Sequence, residues 1–319
     1  MLLRIGDPDT STTELERFSD YPHTRLLLNK AIAHAREHYH SYFFTILNQV
    51  SLRIIADHPD ENIEPQPGSG ISNSVDEFLK KPFNVDLKSF SESLRQDQDL
   101  GHLCIAIELA NALEDCIANP ARKEEYGIWV QGKQDPILAF KAHILIAFFH
   151  ELVRSMVFQT FSQYFKPPAA EDDPDPQALS DKDHPANSGY RWEDMFMRGT
   201  VLLAVDGNDS LDLDLKAVVR MCFESSNFSE PEAEGNCFDL DNKYLARFVN
   251  SVETCQYIYA FPVFDEAKPA PRNHEGRKLQ LVCLRGAKRV HWETRVTSWS
   301  RPVNRGSCII VPGSRVKAC

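Results

Sequence analysis

The residues best able to do chemistry sit together at His150-Glu151-Leu152-Val153-Arg154. On a helix, positions i and i+4 share a face. Two histidines at that spacing can chelate one ion, and a glutamate between them can act as general base on the metal-bound water. Here position 154 is arginine, which is cationic at every relevant pH and has no lone pair to offer a metal. The usual three-ligand zinc site cannot form from this motif. His143 stands seven residues before His150, about 10 Å of rise on a straight helix, too far to supply the missing ligand.

A second stretch, His34-Ala35-Arg36-Glu37-His38, fits H-x-x-E-H, the inverted zinc signature. Its histidines share a helix face, but the apolar stripe runs through Ile32, Ala35 and Tyr39. The histidines flank that stripe, so a solvated or boundary face is expected. If metal binds in the helical half, this pair is the better chelator by spacing. Other chemistry has little support. The chain has no GxGxxG, GxxxxGK[ST] or GxSxG. The acidic runs at 211–215 and 238–243 lack the glycine and terminal glutamate of a calcium loop. His291 and Glu293 fall on one side of an expected strand, where packing by Trp292 accounts for them. Eight cysteines occur without a CxxC pair, so they are read as buried small hydrophobes.

The elements that would position these groups follow from periodicity. Apolar residues at three- and four-residue steps predict helix over 22–56 and over about 98–117. The segment 135–165 is the most apolar long stretch, with Asp135 as N-cap and Pro136 at the first helical position. It is expected to be a buried helix of about 136–165 carrying the HELVR residues. Residues 57–74 read as a loop, 126–132 as a short strand, and 166–189 as a Pro/Asp-rich mobile crossover. A short helix, Gly199 and a strand at 200–205 are expected next. Strands are expected at 255–264 and 279–286. Helices first and mixed strands and loops later make an α+β protein.

The set HELVR, a Pro-rich stretch, then Ser188-Gly189-Tyr190-Arg191-Trp192-Glu193 and a strand resembles a group of fungal zincin-like proteins. In those, HELxH is followed by a segment of the form GESGRxxE. The resemblance covers roughly residues 126–206. It implies His150 as a metal ligand, Glu151 as the base and Glu193 as the third ligand, with Ser188, Gly189 and Trp192 as framework. Arg154 stands in place of the second histidine, and Ala186-Asn187 in place of Gly-Glu. The expected site is therefore altered and zinc-free. Glu151 and Arg154 are its catalytic candidates, and His150 and Glu193 are ligands only if a metal binds. Arg154 is expected to pair with Glu151 or Glu193, or to take a ligand's carboxylate or phosphate. No cofactor is expected, and zinc is the ion if there is one. The domain reading is a flexible lead-in at 1–21 and a single zincin-like α+β domain at 22–319.

Net charge is −11 and the pI near 5.5, which argues against a broad phosphate-binding surface and hence against nucleic acid as partner. No apolar run reaches about 18 residues and the N-terminus has no secretory h-region. The expected setting is therefore intracellular, cytoplasmic and off the membrane, with reduced thiols. The leading expectation is a protein that binds or acts on a small molecule or peptide, in a biosynthetic pathway. Two alternatives stand beside it: an active metal-dependent hydrolase with an unusual ligand set, and a non-catalytic interaction protein using its acidic loops. The sequence specifies no oligomeric state and does not decide whether the chain is an enzyme.

Overall fold

The long apolar run begins where its first residues dictate. The Asp135 carboxylate accepts a 2.9 Å hydrogen bond from the Ile137 N–H, and Pro136 occupies a first-turn position that needs no donor. From there a helix runs to Phe161, and its residues from Ala142 to Val157 are buried on every face. A helix apolar all round belongs in the middle of a core.

The computed structural model describes residues 2–5, 21–89, 103–164, 188–197, 199–206, 214–225, 237–257, 273–274, 277–285 and 288–291. In chain order the elements are β1 (Leu2–Ile5), α1 (Pro22–His38), α2 (His40–Asp57), α3 (Ser69–Lys80), β2 (Phe83–Lys88), β3 (Leu103–Ala106) and α4 (Ile107–Ala118). The single turn α5 (Gly127–Val130), the long helix α6 (Pro136–Phe161) and α7 (Ser188–Met197) follow. The rest are β4 (Gly199–Val205), β5 (Val218–Ser225), β6 (Cys237–Asp239), α8 (Asn242–Glu253), β7 (Asn273–His274), β8 (Arg277–Lys278), β9 (Gln280–Arg285) and β10 (Lys288–His291).

This is an α+β fold with a helical N-terminal half and α6 at its centre. An antiparallel five-stranded sheet in the order β10-β9-β4-β5-β6 forms the C-terminal half, and a small sheet β1-β2-β3 carries one parallel pair, β2 with β3. α6 packs against α1, α4, α7, α8 and β3. Gln134 ties its entrance to the large sheet: its amide accepts from the Met221 N–H at 2.6 Å and donates to the Met221 carbonyl at 3.0 Å and to the Leu240 carbonyl. One hydrophobic cluster runs from Leu3 through α6 to Val252.

Several expected boundaries move. The helix over 22–56 is two helices broken at Tyr39, whose φ of −104° and ψ of 2° leave the helical region. The break drives the Tyr39 ring into the core, edge-on to Phe149 at 5.0 Å and beside Phe196 at 5.1 Å. Leu103–Ala106 is strand rather than helix, because it pairs in parallel with Val85–Lys88; residues 98–102 lie outside the described residues. The expected strand at 126–132 is a helical turn. Gly127 and Gly132 let it lie directly on β5, where a Cβ would stand 2.9 Å from the Val218 carbonyl and 2.1 Å from the Val219 carbonyl. The loop 57–74 ends early at Ser69, where Gly68, at φ 84°, starts α3. α6 ends at Phe161 and passes into a tighter turn, Ser162–Tyr164.

Within the expected lead-in, Leu2–Ile5 pairs with β2 and Leu3 is buried; residues 6–20 lie outside the described residues. So do 165–187 of the crossover, while Ser188 and Gly189 already belong to α7. Of the expected strand 255–264, Cys255–Tyr257 lie in the turn after α8 and 258–264 are outside. Trp292 and Glu293 are outside too. Among the described residues one helix, Pro136–Tyr164, is long and apolar enough to cross a membrane, against expectation, but 83% of its most apolar window is buried within the fold.

Candidate functional site

His150 and Glu193 meet where α6 crosses α7. His150 Nδ1 lies 2.7 Å from Glu193 Oε1, with both side chains at most 2% exposed. Their meeting depends on Gly189. A Cβ there would stand 2.5 Å from the imidazole ring, closer than any ordinary carbon contact, so the absence of a side chain lets the ring lie against the helix backbone. Tyr190 closes the next side edge-on, ring centres 4.7 Å apart. Trp192 stacks on Phe196 at 5.2 Å and lies 5.3 Å from Phe149, packing α7 against α6 beside this pair.

One step along α6, Arg154 Nη2 lies 3.2 Å from Glu151 Oε2. This is a charge contact off hydrogen-bonding geometry. Glu151 Oε2 and Arg154 Nε are buried with no hydrogen-bond partner among the described residues. Of the two pairings expected for Arg154, the one to Glu151 is the one seen, and Glu193 pairs with His150. Cys104 on β3 lies within electrostatic reach of both members of the ion pair. Its thiol is pushed up to about 11, first by burial, then by Glu151, with Lys88 and Arg154 opposing the rise and Asp86 adding to it. Cys104, Lys88 and Asp86 thus mark a polar border on the small sheet beside the HELVR residues, one without a local sequence signal because the pairing of β2 with β3 creates it. His143 is buried two turns back on α6, apart from this group.

The four sequence candidates are therefore neighbours on two packed helices, resolved into two pairs. The described residues that converge as potential metal ligands lie elsewhere: His34, His38 and Cys255, whose ligand atoms all fall within 4.8 Å of one another. Against the expectation of a solvated or boundary face, His34 is fully buried, while half-buried His38 lies at the boundary. Neither of its ring nitrogens has a partner in hydrogen-bonding geometry among the described residues. Burial pushes His34 down to about 4, with nearby His38 adding to the fall and the Ser251 backbone opposing it. The ring is thus neutral near pH 7 and keeps a free lone pair. The HAREH spacing made the two histidines visible in sequence; Cys255, reached only through the packing of α8 on α1, was not.

Cys255 occupies an unusual backbone position. α8 ends with the Gln256 N–H bonded to the Ser251 carbonyl at 2.7 Å and the Cys255 N–H to the Val252 carbonyl at 3.2 Å. Those bonds define a Schellman end, and they place Cys255 at the left-handed position that glycine favours, with φ of 52°.

No protein-family model, curated protein or solved structure matches this chain.

Proposed function

We propose that this is a zincin-like protein whose HELVR site works without zinc and binds a small molecule or peptide through a carboxylate. The observation that carries the reading is the buried Glu151–Arg154 contact at 3.2 Å. A fixed cation stands one turn from His150, where a second ligand would be needed, and it occupies the glutamate that would otherwise serve as base. The His150–Glu193 hydrogen bond supports the same reading, since it satisfies both implied ligands without an ion.

Arg154 Nε has no hydrogen-bond partner among the described residues. A guanidinium offers donors in a planar fork that matches a carboxylate. Cys104 adds a thiol at the border of the site on the β3 side, where Lys88 faces Asp86 at 3.9 Å. The continuous core from Leu3 to Val252 supports a single domain around this site, and the acidic net charge supports a partner other than nucleic acid.

The test uses a His38→Ala/Cys255→Ser background, so that metal held by the other cluster does not confuse the count. Elemental analysis of that protein is expected to show no zinc, and Arg154→His is expected to gain up to one equivalent. A panel of amino-acid carboxylates and short peptides, read by thermal shift, is expected to include stabilising compounds that lose their effect in Arg154→Gln. Stoichiometric zinc with Arg154 in place, lost on His150→Ala, would overturn the reading and favour a metal-dependent hydrolase.

A further inference from the structure

We propose that His34, His38 and Cys255 form a zinc-binding site that joins the first helix to the turn after α8. The donor set is two imidazoles and a thiolate, which suits a borderline ion such as zinc. Ligand atoms around a tetrahedral zinc stand roughly 3.4–3.6 Å apart, given bonds of about 2.0 Å to nitrogen and 2.3 Å to sulfur. Here Cys255 Sγ is 3.9 Å from His38 Nε2, and all three ligand atoms fall within 4.8 Å of each other. Closing on an ion asks for side-chain movements of about 1 Å, less than one rotamer change.

A second, independent feature points into the same space. His34 is wholly buried, and neither ring nitrogen has a partner in hydrogen-bonding geometry among the described residues, the Ser251 backbone being near the ring but outside that geometry. Burying a polar group without a hydrogen bond is costly, and a metal bond would satisfy one of these nitrogens. The ring is held in place by Tyr39, edge-on at 4.9 Å, and by His38 at 4.8 Å.

His38 Nε2 lies 2.9 Å from the Cys255 carbonyl. A carbonyl only accepts, so Nε2 carries the hydrogen and the lone pair sits on Nδ1. The ion would take Nε2, the nitrogen that lies 3.9 Å from Cys255 Sγ, in exchange for the carbonyl contact, with the ring hydrogen carried on Nδ1 instead. In binding, the Cys255 thiol loses its proton to solvent and a sulfur–metal bond forms; no oxidant or reductant is needed. Cys255 is exposed, so the ion has an entry path, and the same opening leaves a fourth position for water or an exogenous ligand. Glu37 is near enough to Cys255 to be felt electrostatically and flanks that opening. The resulting cross-link would connect residues 217 apart in sequence.

The full-length protein, stripped with a chelator, is titrated with zinc and separately with cobalt(II). The expected result is one equivalent bound and, with cobalt, a thiolate-to-metal charge-transfer band in the near ultraviolet. Cys255→Ser should abolish the band, and both it and His38→Ala should weaken zinc binding at least about 100-fold, the upper end of what loss of a supporting group costs. Both residues are partly or fully exposed, so these variants are expected to fold, which circular dichroism checks. A folded wild type that binds no zinc, or an equivalent that persists unchanged in Cys255→Ser, overturns the proposal.

Discussion

The helix pair α6–α7 and the helix pair α1–α8 each bring histidine and a second donor into contact, and both back onto the same aromatic cluster. Phe149 lies 5.3 Å from Trp192 on one side and 6.4 Å from His34 on the other. The two regions differ in how far their polar groups satisfy one another. At HELVR, His150 takes Glu193 in a hydrogen bond and Arg154 faces Glu151 as a charge pair, so charge is met from within, although Glu151 Oε2 and Arg154 Nε have no hydrogen-bond partner among the described residues. At the other site, His34 is neutral near pH 7 and without a hydrogen-bond partner among the described residues, and the cluster is open on the cysteine side. The stronger motif therefore sits where a metal is least needed, and the weaker one where it would relieve the most.

The comparison breaks most readily at Arg154. If its charge holds Glu151 in the core, Arg154→Met leaves a carboxylate buried without a partner and should cost about 3–5 kcal/mol. Urea unfolding at pH 7 measures this. Adding Glu151→Gln to the same protein should recover much of the loss, because the buried charge is then gone. A single-variant loss below about 1 kcal/mol, the range of exposed pairs, would mean that the contact is incidental and that the contrast between the regions fails.

The next largest effect tests the other region. An ion that binds only the folded chain stabilises it by about 2.7 kcal/mol at a hundred times its dissociation constant. Chelator-treated protein should therefore melt about 5 °C below zinc-supplied protein. His38→Ala should melt at one temperature in either condition. A zinc response that survives in His38→Ala but is lost in His150→Ala would reverse the assignment of the two sites.

Much of this is legible in the sequence, and the reason lies in range. The α6 start is local: Asp135 reaches Ile137 two residues on, and Pro136 sits where no donor is needed. The pairing of Arg154 with Glu151 is likewise one helical step. Glu193 came from the spacing of a resembled segment, and the structure brings it to His150. What escaped depends on distant partners. Leu103–Ala106 has helical neighbours in sequence, and only parallel pairing with β2 makes it a strand. Gly127 and Gly132 look like turn signals but serve the approach of a helical turn to β5. Cys255 had no sequence cue linking it to His34, because the packing of α8 on α1 carries that information.

Gly189 offers a smaller and sharper probe of the HELVR region. In Gly189→Ala the new methyl meets the His150 ring at 2.5 Å. Either α7 shifts outward or the ring turns away from Glu193. Overpacking of this kind costs about 1–3 kcal/mol, measurable by urea unfolding. The His150 ring protons should move in the NMR spectrum as the Glu193 hydrogen bond is lost. Unchanged stability and spectrum would mean that the two helices have room to spare and that the pair is not held by close approach.

The smallest effect should also have an unusual sign. Cys255 holds a left-handed backbone conformation that costs a residue with a Cβ roughly 1–2 kcal/mol and glycine almost nothing. Cys255→Gly should therefore stabilise the chelated protein by about 1 kcal/mol, while the zinc-dependent rise in melting temperature disappears. That combination separates a functional cysteine from a packed one. A cysteine kept for packing would leave a destabilising gap when removed. One kept for its sulfur should leave a more stable chain that has lost a ligand. If Cys255→Gly is destabilised without metal, the thiol contributes more through contacts than the strain costs, and the case for a ligand at this position weakens accordingly.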